Sequence, residues 1–496
     1  MSSAIPIRRS GLGSHPLHFR LGSASISAFT LITLLSAVLL FFLFIHMAIN
    51  GIASRTRTIA GHNLEATPWH PFNLHDRHLE ASASLILRCS YLSCLRRSHA
   101  SKISSHSSPP SACPAFFRSI HSDLEPWRRS GISRAALAEA GKRAAMRVVI
   151  LGSNRLYIDL YYSCVQSRAM FTVWGLLQLL ERYPGMVPDI DLVFDCMDRP
   201  AINRTEYDPT ATGKPPPPLF RYCTTKEHFD IPFPDWSFWG WSEVNIKPWD
   251  EQFREIKHGS QVLPWKMKED IAYWKGNPDV QSQIRMELLK CNDTKQWKAQ
   301  IMHQDWVKES NSGFKNSKLS DQCKHRYEIY AEGFAWSVSL KYILSCGSVS
   351  LIIDPQYEDF FSRGLIASEN YIPINCTSLC PSIMSAVDWG NNHPSIAEAI
   401  GIKGQRLMED LSMDRVYDYM FHLIMEYSKL QDFKPAPPPS ALEVCMNAIL
   451  CLADQKQREL LEKSSSSPST TAPCILSHVE DYNGAKDRVL EKMEQK

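Results

Sequence analysis

Hydrophobic and polar positions in the middle of this chain switch between two periods, marking strands and helices in turn. Ser130 to Met146 reads as a helix, with Gly131-Ile132-Ser133 offering the N-cap. Val148 to Leu151 is an apolar run too short for a helix, and Gly152, Ser153 and Asn154 follow it as a turn. Phe171 to Tyr183 repeats apolar residues at helical spacing and stops before Pro184, and Leu192 to Cys196 is the next buried strand. Strand, helix, strand is the order of an α/β sheet. A second set shows the same order. Tyr327 to Cys346 reads largely as helix, Ser348 to Ile353 as an apolar strand, and Tyr357 to Ser362 as the start of another helix. Residues 395–430 are helical with little interruption. The pattern predicts two α/β domains facing a cleft, without internal repeats.

The two ends read differently. No Asp, Glu, Lys or Arg occurs from Leu21 to Ser54, and residues 26–52 are apolar enough and long enough to span a bilayer. A cleaved signal peptide has a shorter apolar core, so the expectation is a single transmembrane signal anchor behind a cytosolic tail at 1–25. Arg8, Arg9 and Arg20 before the span, against Arg55 and Arg57 after it, favour a cytosolic amino terminus. Residues 53–111, rich in Ser, His and Arg, read as a flexible stem, and the Pro- and Ser-rich residues 436–496 as a loose tail. Three sequons, at Asn203, Asn292 and Asn375, suit a lumenal body if glycosylated, and the 14 cysteines suit an oxidising compartment. The last four residues are not an endoplasmic-reticulum retention signal, so the expected location is the Golgi membrane. A net charge of +2 gives no basic field for nucleic acid, and no C-x-x-C spacing suggests zinc.

Candidate chemistry gathers in the middle of the chain. The strand from Leu192 ends in Asp198, Arg199 and Pro200, and an acid at the carboxyl end of a strand is placed to meet a ligand. Glycosyl transfer with inversion needs one base to deprotonate the acceptor hydroxyl, so Asp198 is the candidate; a strand-end acid capping its own turn is the structural alternative. Asp189-Ile190-Asp191 is an acid-x-acid triplet of the kind that holds a metal, but it follows Pro188 at the start of the strand, the wrong end for a ligand. In AYWKGNPDV, Gly276 permits close backbone approach, Lys275 brings charge for a phosphate, and Asn277 begins a turn. In CKHRYEIYAEGFAWSVSLKYILSCGS, Gly333 precedes a helix whose first amides are candidates for a diphosphate, Ser337 and Ser339 add donors, and Gly347-Ser348 forms a turn. Trp236, Trp239 and Trp241 in FPDWSFWGW are either a platform for an acceptor sugar or a packed aromatic corner.

These motifs, with DCMDRP and PQYEDFFSRGL, stand in an order and spacing that resemble the family 90 glycosyltransferases, which include the Rumi-like protein O-glucosyltransferases and the capsule-associated proteins. The wording is most similar to the plant branch, over about residues 112–435. The resemblance implies a GT-B-like arrangement of two Rossmann-like domains: an acceptor-side domain at 112–250 carrying the catalytic acid, and a UDP-sugar-binding domain with closing helices at 251–435. It also implies an inverting reaction with no metal or cofactor beyond the UDP-sugar, with Asp198 as base. Nucleotide-sugar contacts are implied at Lys275, Gly276, Asn277, Gly333, Ser337, Ser339, Lys341, Gly347 and Ser348. One departure stands out: the animal enzymes carry an arginine where this chain has Ser339, so Lys341, Lys275 or Arg326 is expected to hold the diphosphate. The donor is expected to be UDP-glucose or UDP-xylose, and the acceptor a protein or a wall polysaccharide. Two competing readings are a hydrolase, which needs a second carboxylate such as Glu243 or Asp235, and a catalytically silent lumenal carbohydrate-binding scaffold.

Overall fold

The computed structural model describes residues 94, 110–152, 154–207 and 213–477. The expected membrane span at 26–52 and nearly all of the expected stem lie outside the described residues. Among the described residues no helix is long and apolar enough to cross a membrane.

Helix α1 (Arg134–Gly141) starts where Ser133 accepts the Ala136 amide, the N-cap anticipated from the sequence, but it ends earlier than Met146. Strand β1 (Met146–Leu151) follows. Gly152, at φ +58°, turns the chain back on itself, so Arg155–Leu160 forms β2, antiparallel to β1 and absent from the sequence reading. Helix α2 (Arg168–Arg182) is buried from Ala169 to Leu180. Strand β3 (Ile190–Phe194) lies antiparallel to β1, and the short β4 (Leu219–Arg221) and β5 (Ile231–Pro232) continue parallel to it.

Helix α3 (Trp249–Gln261) leads to β6 (Glu269–Gly276), α4 (Gln283–Leu289), β7 (Ala299–His303) and β8 (His325–Tyr330). Helix α5 (Ser339–Leu344) and strands β9 (Val349–Ile353) and β10 (Ile372–Ile374) complete the second sheet. Its order is β10-β9-β8-β6-β7 and all its pairs are parallel. The expected helix from Tyr327 is thus corrected: its first part is the β8 strand between β6 and β9, and helix is confined to Ser339–Leu344. The expected helix at Tyr357 is instead a loop that ends in a single tight turn, Ser362–Gly364.

Helices α6 (Leu379–Asn392) and α7 (Pro394–Glu409) cover one face of this sheet, enclosing Ala272, Ile329, Leu351, Ile383 and Ile400. Gly401 lets α7 come down on the turn before β9: a Cβ there would stand 2.3 Å from the Gly347 carbonyl oxygen. The other face sends Tyr330 and Ile352 into a core that also holds Phe194, Phe220 and helix α8 (Met413–Ser428). Both sheets thus share one apolar core within one compact unit.

The expectation of a loose tail from 436 is corrected for the part described. Residues 442–444 form β11, which pairs with β2 and closes the first sheet in the order β11-β2-β1-β3-β4-β5. Helices α9 (Met446–Leu452) and α10 (Gln455–Lys463) bury Ile449 and Leu461 in the shared core. A disulfide from Cys474 to Cys113 ties the tail to the start of the body. Other disulfides join Cys164 to Cys196, Cys291 to Cys380 and Cys323 to Cys346.

Candidate active site

Asp198 sits just past the carboxyl end of β3, on a loop whose backbone is gripped from beneath by β4 and the residues after it. Arg221, almost fully buried, pairs with Asp195 and donates to the Arg199 carbonyl and, at 3.4 Å, to the Met197 carbonyl. A second acid, Asp230, stands 3.3 Å from the same guanidinium and accepts the Ala201 and Ile202 amides. Burial pushes the Asp195 and Asp230 carboxyls up, and Arg221 pulls both back toward the charged form. The Cys223 thiol donates to the Asp198 carbonyl at 3.2 Å. Three successive carbonyls of the loop are therefore held, and the Asp198 side chain, 31% exposed, projects from a fixed base. Its carboxylate meets Arg168, whose Nη1 lies 2.5 Å from Oδ1.

The second sheet presents its own carboxyl edge, where Gly276 ends β6 and Glu332 and Gly333 follow β8. Arg285, projecting from α4, organises this edge. Its Nη1 donates to the Asn277 carbonyl at 2.8 Å, Nη2 to the Ser337 hydroxyl at 3.2 Å, and Nε to the Ala331 and Glu332 carbonyls. Burial lowers its pKa to about 10, so the guanidinium stays charged at neutral pH. The Ser337 and Ser339 hydroxyls stand 2.9 Å apart beside it. Lys275 reaches the Asn316 carbonyl from the same edge. Glu332 takes the Gln356 and Tyr357 amides at 3.1 and 2.9 Å, which fixes the loop after β9, and burial raises its carboxyl to about 7.

The two carboxyl edges meet. Arg199 lies over the Phe334 ring at 4.0 Å and donates to the Phe334 carbonyl at 3.0 Å. Thr224 and Glu358 exchange backbone hydrogen bonds of 2.9 Å in each direction. The loop that carries Asp198 and the segment after β8 are thus in contact, at the carboxyl ends of β3 and β8.

Several sequence-derived assignments fall elsewhere. Gly347 and Ser348 precede β9 and so lie at the opposite, amino edge of the sheet; Ser348 is buried, donating to the His325 carbonyl and accepting from Lys268. Lys341 is 1% exposed and locked onto Asp235 and Ser237, and Arg326 is spent on the Trp265 and Lys266 carbonyls and Asn391. The expected amide cradle before α5 is already occupied: the Tyr330 hydroxyl takes the Ser337 amide, and the Ser337 hydroxyl takes that of Ser339. Trp236 and Trp239 are buried and cannot stack on an incoming sugar; Trp239 donates to the Tyr417 hydroxyl, and its ring fills the space beside Gly175. Of the three tryptophans only Trp241 keeps some surface. Exposed apolar side chains on the segments tied to the Asp198 loop are Tyr162, which bonds Asp195, Val165 beside the Cys164–Cys196 disulfide, and Met197.

The second carboxylates named for a hydrolase are engaged as well. Glu243 accepts the Ser167 amide and hydroxyl, both at 2.9 Å, and Asp235 holds Ser237 and Lys341. In the acid triplet, Asp191 is fully buried and makes a bidentate pair with Arg147, while Asp189 accepts the Gly152 amide. The cluster Cys113, His422 and Cys474 is closed by its own disulfide. All three sequons lie at the surface; Asn203 and Asn375 each accept the amide and hydroxyl of the threonine two residues on, and Asn292 accepts the Ile301 amide. A cavity of about 340 Å³ bounded by Arg182, Asp250, Tyr417 and Lys463 shares no residue with the Asp198 site. Arg168, Arg221 and Arg285 were missed in the sequence; the one available signal was Arg221, a charge inside an otherwise apolar strand.

The comparisons with known proteins give the class of enzyme. The chain belongs to glycosyl transferase family 90, whose model matches residues 108–496. It is a glycosyltransferase that uses a sugar donor. Among similar proteins, Protein O-glucosyltransferase 1 of Homo sapiens is 27% identical over 335 residues, spanning 65% of this chain and 81% of that protein. O-glucosyltransferase rumi of Drosophila melanogaster is 24% identical over 348 residues, spanning 66% of this chain and 80% of that protein.

Proposed function

We propose that this chain transfers glucose or xylose from a UDP-sugar, with inversion and without a metal, to a hydroxyl of a protein or a wall polysaccharide. Asp198 accepts the acceptor's proton as the anomeric carbon is attacked, and the diphosphate leaves from the opposite face. The observation that carries this reading is the position of Asp198, on a rigid loop directly across the Arg199–Phe334 contact from the Gly276 and Gly333 edge. The halves 112–250 and 251–435 act as acceptor side and donor side in a GT-B manner, with Lys275, Gly276, Asn277, Gly333, Ser337 and Ser339 toward the nucleotide sugar. Arg285 supplies the cation that Ser339 does not, and stabilises negative charge as it develops on the leaving diphosphate. The relatives' names support glucose; a pentose differs by one hydroxymethyl group, which a few contacts discriminate. The acceptor is proposed to lie over Tyr162, Val165 and Met197, with Trp241 at the border. Residues 26–52 would anchor the protein in the Golgi membrane with its body in the lumen, where the sequons and disulfides are at home.

The test is UDP release by the purified full-length protein from UDP-glucose and UDP-xylose, with and without EDTA. Turnover of one donor, unchanged by EDTA, is expected. Arg285→Ala is expected to raise the donor KM at least about tenfold, the usual loss for a charge-assisted contact. Inhibition by EDTA would overturn the metal-free reading, and absence of both turnover and donor binding would leave a carbohydrate-binding scaffold.

A further inference from the structure

The geometry points to Arg168 as the positioning residue of the transfer reaction, holding one oxygen of Asp198 so that only the other can receive the acceptor's proton. This rests on the reading of Asp198 as the base. Arg168 is the first residue of α2, and the chain on its amino side is fixed independently of Asp198. The Cys164–Cys196 disulfide binds the segment before α2 to the loop that carries Asp198. Glu243 takes both the amide and the hydroxyl of Ser167, and the Trp241 indole donates to Gln166 at 3.1 Å, where the backbone stands at φ +58°. Beneath the guanidinium lies the Trp236 ring, 4.2 Å away.

A charge so placed has few ways to move. Its Nη1 reaches Asp198 Oδ1 at 2.5 Å and the Cys196 carbonyl at 3.4 Å. Its Nε is buried and meets no acceptor among the described residues, and the side chain is 12% exposed against 31% for Asp198. Here the contact delivered most closely is the one to the reacting acid. Among the described residues no other hydrogen bond reaches the Asp198 carboxylate, so Oδ2 is the oxygen left for substrate.

In the transfer step the acceptor's O–H proton moves to Asp198 Oδ2, and its electron pair forms the bond to the anomeric carbon. The bond from that carbon to the diphosphate oxygen breaks, and its pair leaves with UDP. Arg168 keeps Oδ1 throughout and touches neither substrate. It therefore acts on the chemical step, and the prediction separates kcat from the donor's KM.

The experiment compares full-length Arg168→Ala, Arg168→Lys and Asp198→Asn by UDP release from UDP-glucose and UDP-xylose. Arg168→Ala is expected to lower kcat about 100-fold with donor KM within about twofold, the usual effect of a misplaced catalytic group. Guanidinium at concentrations far below those that unfold proteins is expected to restore much of that loss by entering the vacated space. Arg168→Lys keeps the charge but cannot lie flat on Trp236 while reaching Oδ1, and is expected to lose at least about tenfold in kcat. A kcat within about threefold of the parent in either variant, beside an inactive Asp198→Asn, would overturn the role of Arg168 and leave the base in place. Loss in Arg168→Ala without rescue by guanidinium also counts against it, as the mark of a structural ion pair. If Arg168→Ala fails to fold, Arg168→Lys decides by the same criterion. Turnover retained in Asp198→Asn would instead remove the base reading itself.

Discussion

Replacing Asp198 with Asn is expected to lower kcat for UDP release about 1000-fold while leaving UDP binding, measured by calorimetry, within about twofold. The substitution is nearly isosteric. An amide oxygen can still accept from Arg168, and the grip of Arg221 and Cys223 on the loop carbonyls involves only backbone at this position. What is lost is the capacity to take a proton. Because the donor contacts proposed above come from the other sheet edge, around Arg285 and Gly333, donor affinity has no reason to change. A variant retaining a tenth or more of the parent rate would show that another group removes the proton. Glu243 and Asp235 are poor substitutes, since both carboxylates are buried and engaged.

Asp198 was legible as a candidate in the sequence because strand ends are local: an apolar run stopping before Asp198 and Pro200 needs no tertiary knowledge. The same holds for α2 and for β1, β3 and β9, whose apolar runs Val148–Leu151, Leu192–Phe194 and Leu351–Ile353 carry no charge. β8 was not legible, because Glu328 interrupts a strand whose buried apolar residues, Tyr327, Ile329 and Tyr330, run on toward the apolar residues of α5. Without the sheet, that stretch has no sign that its period changes from 2 to 3.6. Gly347 and Ser348 were recognised as a turn but assigned to the wrong edge, since strand direction is a property of the sheet. The described part of the tail was hidden by composition: its Pro and Ser dominate the average, while Ile449 and Leu461 decide its packing. Arg168 and Arg285 escaped notice for a different reason. Arg168 reaches across 30 residues to Asp198, and Arg285 across 52 to Ser337. A basic residue on a helix is ordinarily a solvated one, and only the fold brings these two to their partners.

Lys341 separates the two kinds of lysine that a sequence cannot tell apart, and its replacement carries the largest expected effect on stability. Its ammonium lies 2.8 Å from the Ser237 hydroxyl and 3.2 Å from Asp235, with both charged groups almost fully buried. Burial alone would lower its pKa, but Asp235 and its neighbours outweigh that and raise it, so the ion pair is the form that folds. Lys341→Met removes the buried cation that pairs with Asp235, beside Asp359, whose carboxyl burial already raises to about 6. The expected cost is about 3–5 kcal/mol, read by chemical denaturation of the full-length protein. Replacing Asp235 as well is expected to recover much of it, because a buried pair exchanged for apolar groups is often close to neutral. A diphosphate-binding lysine would behave in the opposite way, with stability kept and UDP affinity lost. The pair also joins the 233–241 loop, whose Trp236 supports Arg168, to the helix that follows Ser337. Any Lys341→Met protein that remains folded is therefore expected to lose turnover through displaced groups on both sides of the site, with no ligand of its own removed.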